Sequence, residues 1–204
     1  MRKLVCFILL CTAAFAQVAT EANEGYKTPE GRASVAKGLN DPAREERQKP
    51  RDIVDALDLK PGSTVADVGT GTGFMLPYLS HAVGDTGHVV GEDIQNDFLD
   101  KAKMKAQLSR LNNIQFVLGT DRDPKLPADT LEGVLVLDVY HHFDYPEAML
   151  EHITNRLARN RLAIFLIAVL PLTMTSPWAL QTAVRPGNHA RTSRTAPLEW
   201  TAPR

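Results

Sequence analysis

Gly69, Gly71 and Gly73 alternate with Thr70 and Thr72 directly after the run Val65-Ala66-Asp67-Val68. Glycines in that pattern let a backbone turn sharply and approach a ligand with no Cβ in the way. Asp67 stands two positions before the first glycine, and a carboxylate there suits a ligand with a cationic group. Dinucleotide-binding turns use G-x-G-x-x-G, with donors aimed at a pyrophosphate. Here the third glycine comes one residue early, which argues for a different ligand. A second acidic position closes the stretch Val89-Val90-Gly91-Glu92-Asp93-Ile94. A carboxylate about 20 residues past a glycine turn can accept two hydrogen bonds from a ribose diol. Alternation from Val89 puts Glu92 on the opposite face, so Asp93 is the candidate.

The third stretch is Asp138-Val139-Tyr140-His141-His142-Phe143. Histidine titrates near neutral pH, so either His141 or His142 can serve as a proton acceptor. Tyr140 is placed to orient a substrate. Asp138 and the two histidines fall short of a metal site, which needs three or four converging ligands, and no further ligand cluster is visible. No metal is expected.

These stretches sit where an alternation of strands and helices would place them. Thr64 to Val68, His88 to Gly91, Ile114 to Leu118 and Gly133 to Leu137 read as short apolar strands, and Leu162 to Leu170 as a buried fifth. Phe74 to Val83 reads as a helix with Pro77 in its first turn. Asp97 to Leu108 has an amphipathic period that turns Leu99, Ala102, Ala106 and Leu108 inward. Pro146 to Leu157 begins with a well-placed proline. Strands alternating with helices predict an α/β fold with a mostly parallel, doubly wound sheet in one domain.

Pro61 to Asp93 resembles the class I S-adenosylmethionine-dependent methyltransferases. Val65 to Gly73 is similar to their first motif, and Asp93 to the acidic end of their second strand. The resemblance covers roughly residues 45 to 165. It implies a Rossmann-like sheet and S-adenosyl-L-methionine as cofactor. It also implies that Asp67, Gly69, Thr70, Gly71 and Gly73 face the methionine part and Asp93 the ribose. Gly119-Thr120-Asp121 falls at the adenine contact, with the acidic residue displaced by one, so Thr120 and Asp121 are both candidates. Asp138 would lie on the cofactor side of the last stretch. Tyr140, His141 and His142 would stand near the transferred methyl group. Alignment of the two reactants there can lower the barrier by several kcal/mol.

The chain has 204 residues and a formal net charge of -1, with nothing basic or aromatic in its patterning to suggest nucleic acid as a partner. A small-molecule methyl acceptor is the expectation. Arg2-Lys3, the apolar run Leu4 to Phe15 and Ala14-Phe15-Ala16 read as a signal peptide over residues 1–16, hence export. An uncleaved N-terminal membrane anchor is the alternative, although the run is shorter than the roughly 20 residues of a spanning helix. Both cysteines, Cys6 and Cys11, fall inside it. Residues 17–50 read as a linker and helical lead-in, 51–170 as the domain, and 171–204 as a disordered or poorly packed tail. That tail offers no strand for the hairpin that usually finishes such sheets, as though the chain were truncated or frame-shifted. Two other readings remain: a non-catalytic cofactor-binding remnant and a nicotinamide-dependent oxidoreductase.

Overall fold

The computed structural model describes residues 19–128 and 130–157, and the strand segments 164–167 and 182–183. The signal-peptide reading and most of the tail reading lie outside these residues. Among the described residues, no helix is long and apolar enough to cross a membrane.

A one-turn 3-10 helix (Glu24–Tyr26) leads into α1 (Pro29–Leu39), α2 (Ala43–Gln48) and α3 (Pro50–Leu57). Strand β1 (Thr64–Val68) is followed by α4 (Leu76–Val83), β2 (His88–Asp93), α5 (Asn96–Leu108), β3 (Ile114–Leu118) and β4 (Gly133–Leu137). A second 3-10 turn (Tyr140–His142), α6 (Pro146–Asn155), β5 (Ile164–Ile167) and β6 (Thr182–Ala183) complete the order. Local chemistry sets several of these boundaries. Thr28 caps α1, its Oγ1 accepting from the Gly31 amide at 3.0 Å. Proline occupies the first turn of α1, α3, α4 and α6, where its missing N–H leaves nothing unpaired.

The sheet order is β3-β2-β1-β4-β5-β6. Neighbours from β3 to β5 run parallel, as the alternation of elements predicts. β6 pairs antiparallel with β5 through Phe165 and Leu166, a two-residue strand where the composition of the tail predicts none.

Each face of the sheet carries an apolar layer. Val65, Val89 and Leu135 pack with Leu76, Leu79, Val83 and Ala102. Ala66, Val68, Val90, Val134 and Val136 pack with Leu131, Met149 and Ile153 on the other side. β1 and β4 are therefore covered on both sides, which is why both are rich in apolar residues, with Asp67 the charged exception. On α5 the buried residues are Phe98, Leu99, Ala102 and Ala106. Leu108, expected inward, is 80% exposed. The helix ends there at Ser109, so its last turn no longer faces the sheet, and Phe98 supplies the aromatic contact at the opposite end.

The chain winds outward from β1 to β3, then returns to β4 on the other side of β1. Strand order thus reverses between β1 and β4. In open sheets of this kind the ligand crevice lies beyond the carboxyl ends of the strands at such a reversal.

Candidate active site

The glycine turn leaves β1 with Gly69 at φ 69°, Gly71 at 57° and Gly73 at 78°, a region that favours glycine. At Gly69 space also excludes a side chain, and at Gly73 it is tight. A Cβ on Gly69 would stand 2.3 Å from Cγ2 of Val139, and one on Gly73 would stand 3.1 Å from the Cβ of Ala102. Gly69 thus lets the loops after β1 and β4 touch, and Gly73 lets the turn settle on α5.

The turn is tied to the end of β2. The Gly71 amide donates to Asp93 Oδ2 at 2.9 Å, while Asp93 Oδ1 accepts from the Gln95 amide at 2.8 Å. Thr70 donates its amide to the carbonyl of Glu92 at 2.8 Å. Glu92 Oε2 accepts from the Gly69 amide at 3.3 Å, and its Oε1 is buried without a partner. Asp67 sits behind the turn, where its Oδ2 accepts from the Thr70 hydroxyl at 2.7 Å.

Four carboxyl groups meet here, and burial raises the pKa of every one. Asp67 is pushed up to about 7 and Asp93 to about 6. Glu92 lies well above the usual range, with Asp93 as the second cause. Asp138 is raised as well. The guanidinium of Arg44, from α2, faces Asp138 and Asp67, and burial lowers its pKa. Its Nη1 donates to the carbonyl of Leu39 at 3.3 Å, and the group lies 4.5 Å from the centroid of the Phe74 ring.

A cavity of about 590 Å³ opens over these groups, within the ~300–1,000 Å³ range of small-molecule sites. Gly69, Thr70, Gly71, Asp93, Thr120, Asp121, Asp138 and His142 line it. Asp67, Gly73, Tyr140 and His141 do not line it. Asp67 is held behind Thr70. Tyr140 packs on the apolar layer beside Phe143, ring centroids 5.7 Å apart. His141 is exposed, its ring 4.2 Å from that of His142. Glu92, set aside because of its face, lines the cavity beside Asp93, since side chains from both faces converge once the strand ends.

The far wall comes from residues 19–48. Thr20, Asn23, Tyr26, Arg32, Leu39 and Arg44 are among its lining residues. Arg32 Nε meets both oxygens of Asp97 on α5 at 3.1 and 2.9 Å. Thr72 Oγ1 donates to Asn40 Oδ1 at 3.2 Å. Tyr26 makes T-shaped ring contacts with Phe98 and His142, centroids 5.8 and 4.9 Å apart. None of these side chains carries a spacing signal. Only Tyr26 and Arg44, two large residues in a polar stretch, offer a hint in the sequence.

His142 is held by Asn23. Its Nδ1 lies 2.9 Å from Asn23 Oδ1, and its carbonyl accepts from Asn23 Nδ2 at 3.0 Å. Burial first, then His141, lowers the His142 pKa to about 4. The ring is neutral at physiological pH. Among the described residues, no group of three or more acidic, histidine or cysteine side chains is arranged to hold a metal ion.

An acidic floor, the Arg44 guanidinium and an open backbone turn suit a ligand with a positive centre, a diol and a carboxylate. Fold and cavity together define a nucleoside-type cofactor binder of the open α/β class. Residues 65–160 match a family model described as "Methyltransferase domain". An S-adenosylmethionine-dependent methyltransferase from Aquifex aeolicus is 31% identical, with a TM-score of 0.63 over 71% of this chain and 77% of that one. The chain belongs to the S-adenosylmethionine-dependent methyltransferase family, whose cofactor is S-adenosylmethionine. The demethylmenaquinone methyltransferase of Oceanobacillus iheyensis is 39% identical over 34% of this chain and 29% of that protein. The tRNA (adenine(58)-N(1))-methyltransferase of Thermus thermophilus is 32% identical over 58% of this chain and 44% of that protein. The matched stretch thus spans less than half the length of these two relatives.

Proposed function

We propose that this protein transfers a methyl group from S-adenosylmethionine to a small-molecule acceptor. The observation that carries the reading is the convergence of the Gly69–Gly71 turn, Asp93, Asp138, Arg44 and His142 on one cavity at the reversal of strand order. The cofactor supplies an electrophilic methyl carbon on a sulfonium, open to in-line displacement.

Each residue then has a task. Gly69 and Gly71 admit the methionine part close to the backbone. The carboxylate of Asp93, already oriented by two amides, accepts from the ribose hydroxyls. Arg44 offers its planar fork to the methionine carboxylate. Asp138 faces the ammonium group. Thr120 and Asp121 stand at the adenine end. Asp67 acts through Thr70 as a positioning residue. His142, neutral and on the cavity wall, receives the acceptor's proton. Export through the leader at residues 1–16 belongs to the same proposal. Cell fractionation tests it, and full-length protein confined to the cytoplasm with Met1 intact overturns it.

Calorimetric titration of the full chain with S-adenosylmethionine tests the cofactor reading. Saturable 1:1 binding, weakened at least tenfold in Asp93→Ala, is the expected result. A sample shown folded by circular dichroism that takes up no cofactor overturns it.

A further inference from the structure

We infer that Asn23 is a positioning residue for His142, fixing the imidazole as its Nδ1–H tautomer so that Nε2 is the nitrogen free of a proton. The role given to His142 in proton transfer rests on the function proposed above; the tautomer itself rests on geometry alone.

The orientation of the Asn23 amide decides the matter. On one side it faces two acceptors, the carbonyl of His142 at 3.0 Å and Asp144 Oδ1 at 3.4 Å. Only the NH₂ end satisfies both, because a flipped amide would set oxygen against oxygen. Oδ1 therefore faces His142 Nδ1 at 2.9 Å. An amide oxygen has no proton to give, so Nδ1 must be the donor. In a neutral imidazole the other nitrogen then carries the lone pair.

The rest of the contact keeps the ring in place. The His142 amide donates to the carbonyl of Val139 at 2.8 Å, and the Tyr26 amide donates to the carbonyl of Asn23 at 3.0 Å. The Tyr26 ring packs against it at a steep angle, centroids 4.9 Å apart. The titratable groups around it are His141 and Asp144 from its own loop and Tyr26 from the N-terminal segment. No carboxylate bonds to Nδ1, so the ring is oriented without being made more basic. Such a ring suits an acceptor that brings its own ionisable O–H, N–H or S–H. The acceptor's proton goes to Nε2 as its electron pair forms the bond to the methyl carbon. The carbon–sulfur pair returns to sulfur, and the imidazolium afterwards gives its proton to water. An acceptor nucleophile without a proton would make no use of this arrangement.

Long-range 1H–15N correlation of the histidine rings in the full-length protein reads the tautomer directly, with His142→Gln identifying the signal. At neutral pH, His142 should show a protonated Nδ1 and a bare Nε2. Asn23→Ala should return it toward the Nε2–H form. Asn23→Asp should keep Nδ1–H and raise the titration midpoint of the ring by about one pH unit, because a carboxylate stabilises the imidazolium. A wild-type Nε2–H ring, an unchanged tautomer in folded Asn23→Ala, or an unmoved midpoint in Asn23→Asp overturns the inference. Should Asn23→Ala fail to fold, the wild-type spectrum and Asn23→Asp decide it. Cofactor titration of the same samples separates the two proposals. Binding with the wrong tautomer removes the role of Asn23 alone; the right tautomer without binding removes the methyltransferase reading alone.

Discussion

The Gly71 amide and the Asp93 carboxylate are joined by a 2.9 Å hydrogen bond across 22 residues of sequence. That bond locks the turn after β1 to the tip of β2 before any ligand arrives. It also leaves Asp93 lone pairs for the cavity, since each carboxylate oxygen has capacity for two donors.

Asp93→Asn should therefore harm both stability and affinity. Its amide keeps the shape but turns an NH₂ group toward one of two backbone donors, Gly71 or Gln95. Leaving a buried donor unpaired costs about 1–3 kcal/mol. Urea unfolding should show that loss, and calorimetry should show weaker cofactor binding in the same sample.

Asp67 makes the fold sensitive to pH in a stated direction. Its carboxyl is raised to about 7 by burial. The folded state thus holds a proton that the unfolded chain has lost, and stability falls as pH rises from about 4 through about 7. Asp67→Asn keeps an acceptor for the Thr70 hydroxyl and removes the titration. The variant should match the wild type near pH 4 and exceed it by roughly 1–4 kcal/mol at pH 8. Denaturant midpoints at the two pH values check this. His142, lowered to about 4, acts in the opposite sense between pH 4 and 6.5, and it does so equally in both proteins.

Arg44→Met should lower cofactor affinity at least tenfold while the protein stays folded. Arg44→Lys should recover only part of the loss, since an ammonium cannot reproduce a bidentate grip on a carboxylate. Titration of both variants against S-adenosylmethionine and S-adenosylhomocysteine reads this out. Equal loss for both ligands places Arg44 at a part they share, as the carboxylate is, because the two differ only in the methyl group and the sulfur charge.

Arg32→Ala should loosen the N-terminal wall. The Arg32–Asp97 pair is partly exposed, so its ion-pair contribution is about 1 kcal/mol or less. Arg32 also donates to the carbonyl of Tyr26 at 3.0 Å. Limited proteolysis should cut within residues 19–48 faster in the variant, with the β-sheet fragment unaffected.

The sheet was legible because its signals are periodic. The apolar residues of Val65–Val68 and Gly133–Leu137, glycines at the turn and proline at helix starts each reflect a local constraint. The cavity wall from residues 19–48 was not. It is built from single polar contacts between distant residues: Asn23 reaches His142 across 119 positions and Arg32 reaches Asp97 across 65. Amphipathic period cannot encode such pairs. The two histidines show the same limit at shorter range. His141 and His142 are adjacent and chemically identical, yet one is exposed and the other lines the cavity. The 3-10 turn at Tyr140–His142 decides which one faces inward.

The contact between Gly69 and Val139 reaches beyond this one molecule. The valine side chain fills the space that a Cβ at position 69 would need, so the order in which substitutions arise matters. A larger residue at 69 becomes less crowded only after 139 has shrunk, and the φ of 69° still penalises it. Position 139 is thus expected to vary only within a narrow size while the glycine at 69 holds still. Laboratory evolution toward a new acceptor would find that constraint early, because remodelling the loop after β4 means negotiating with the turn proposed to receive the cofactor.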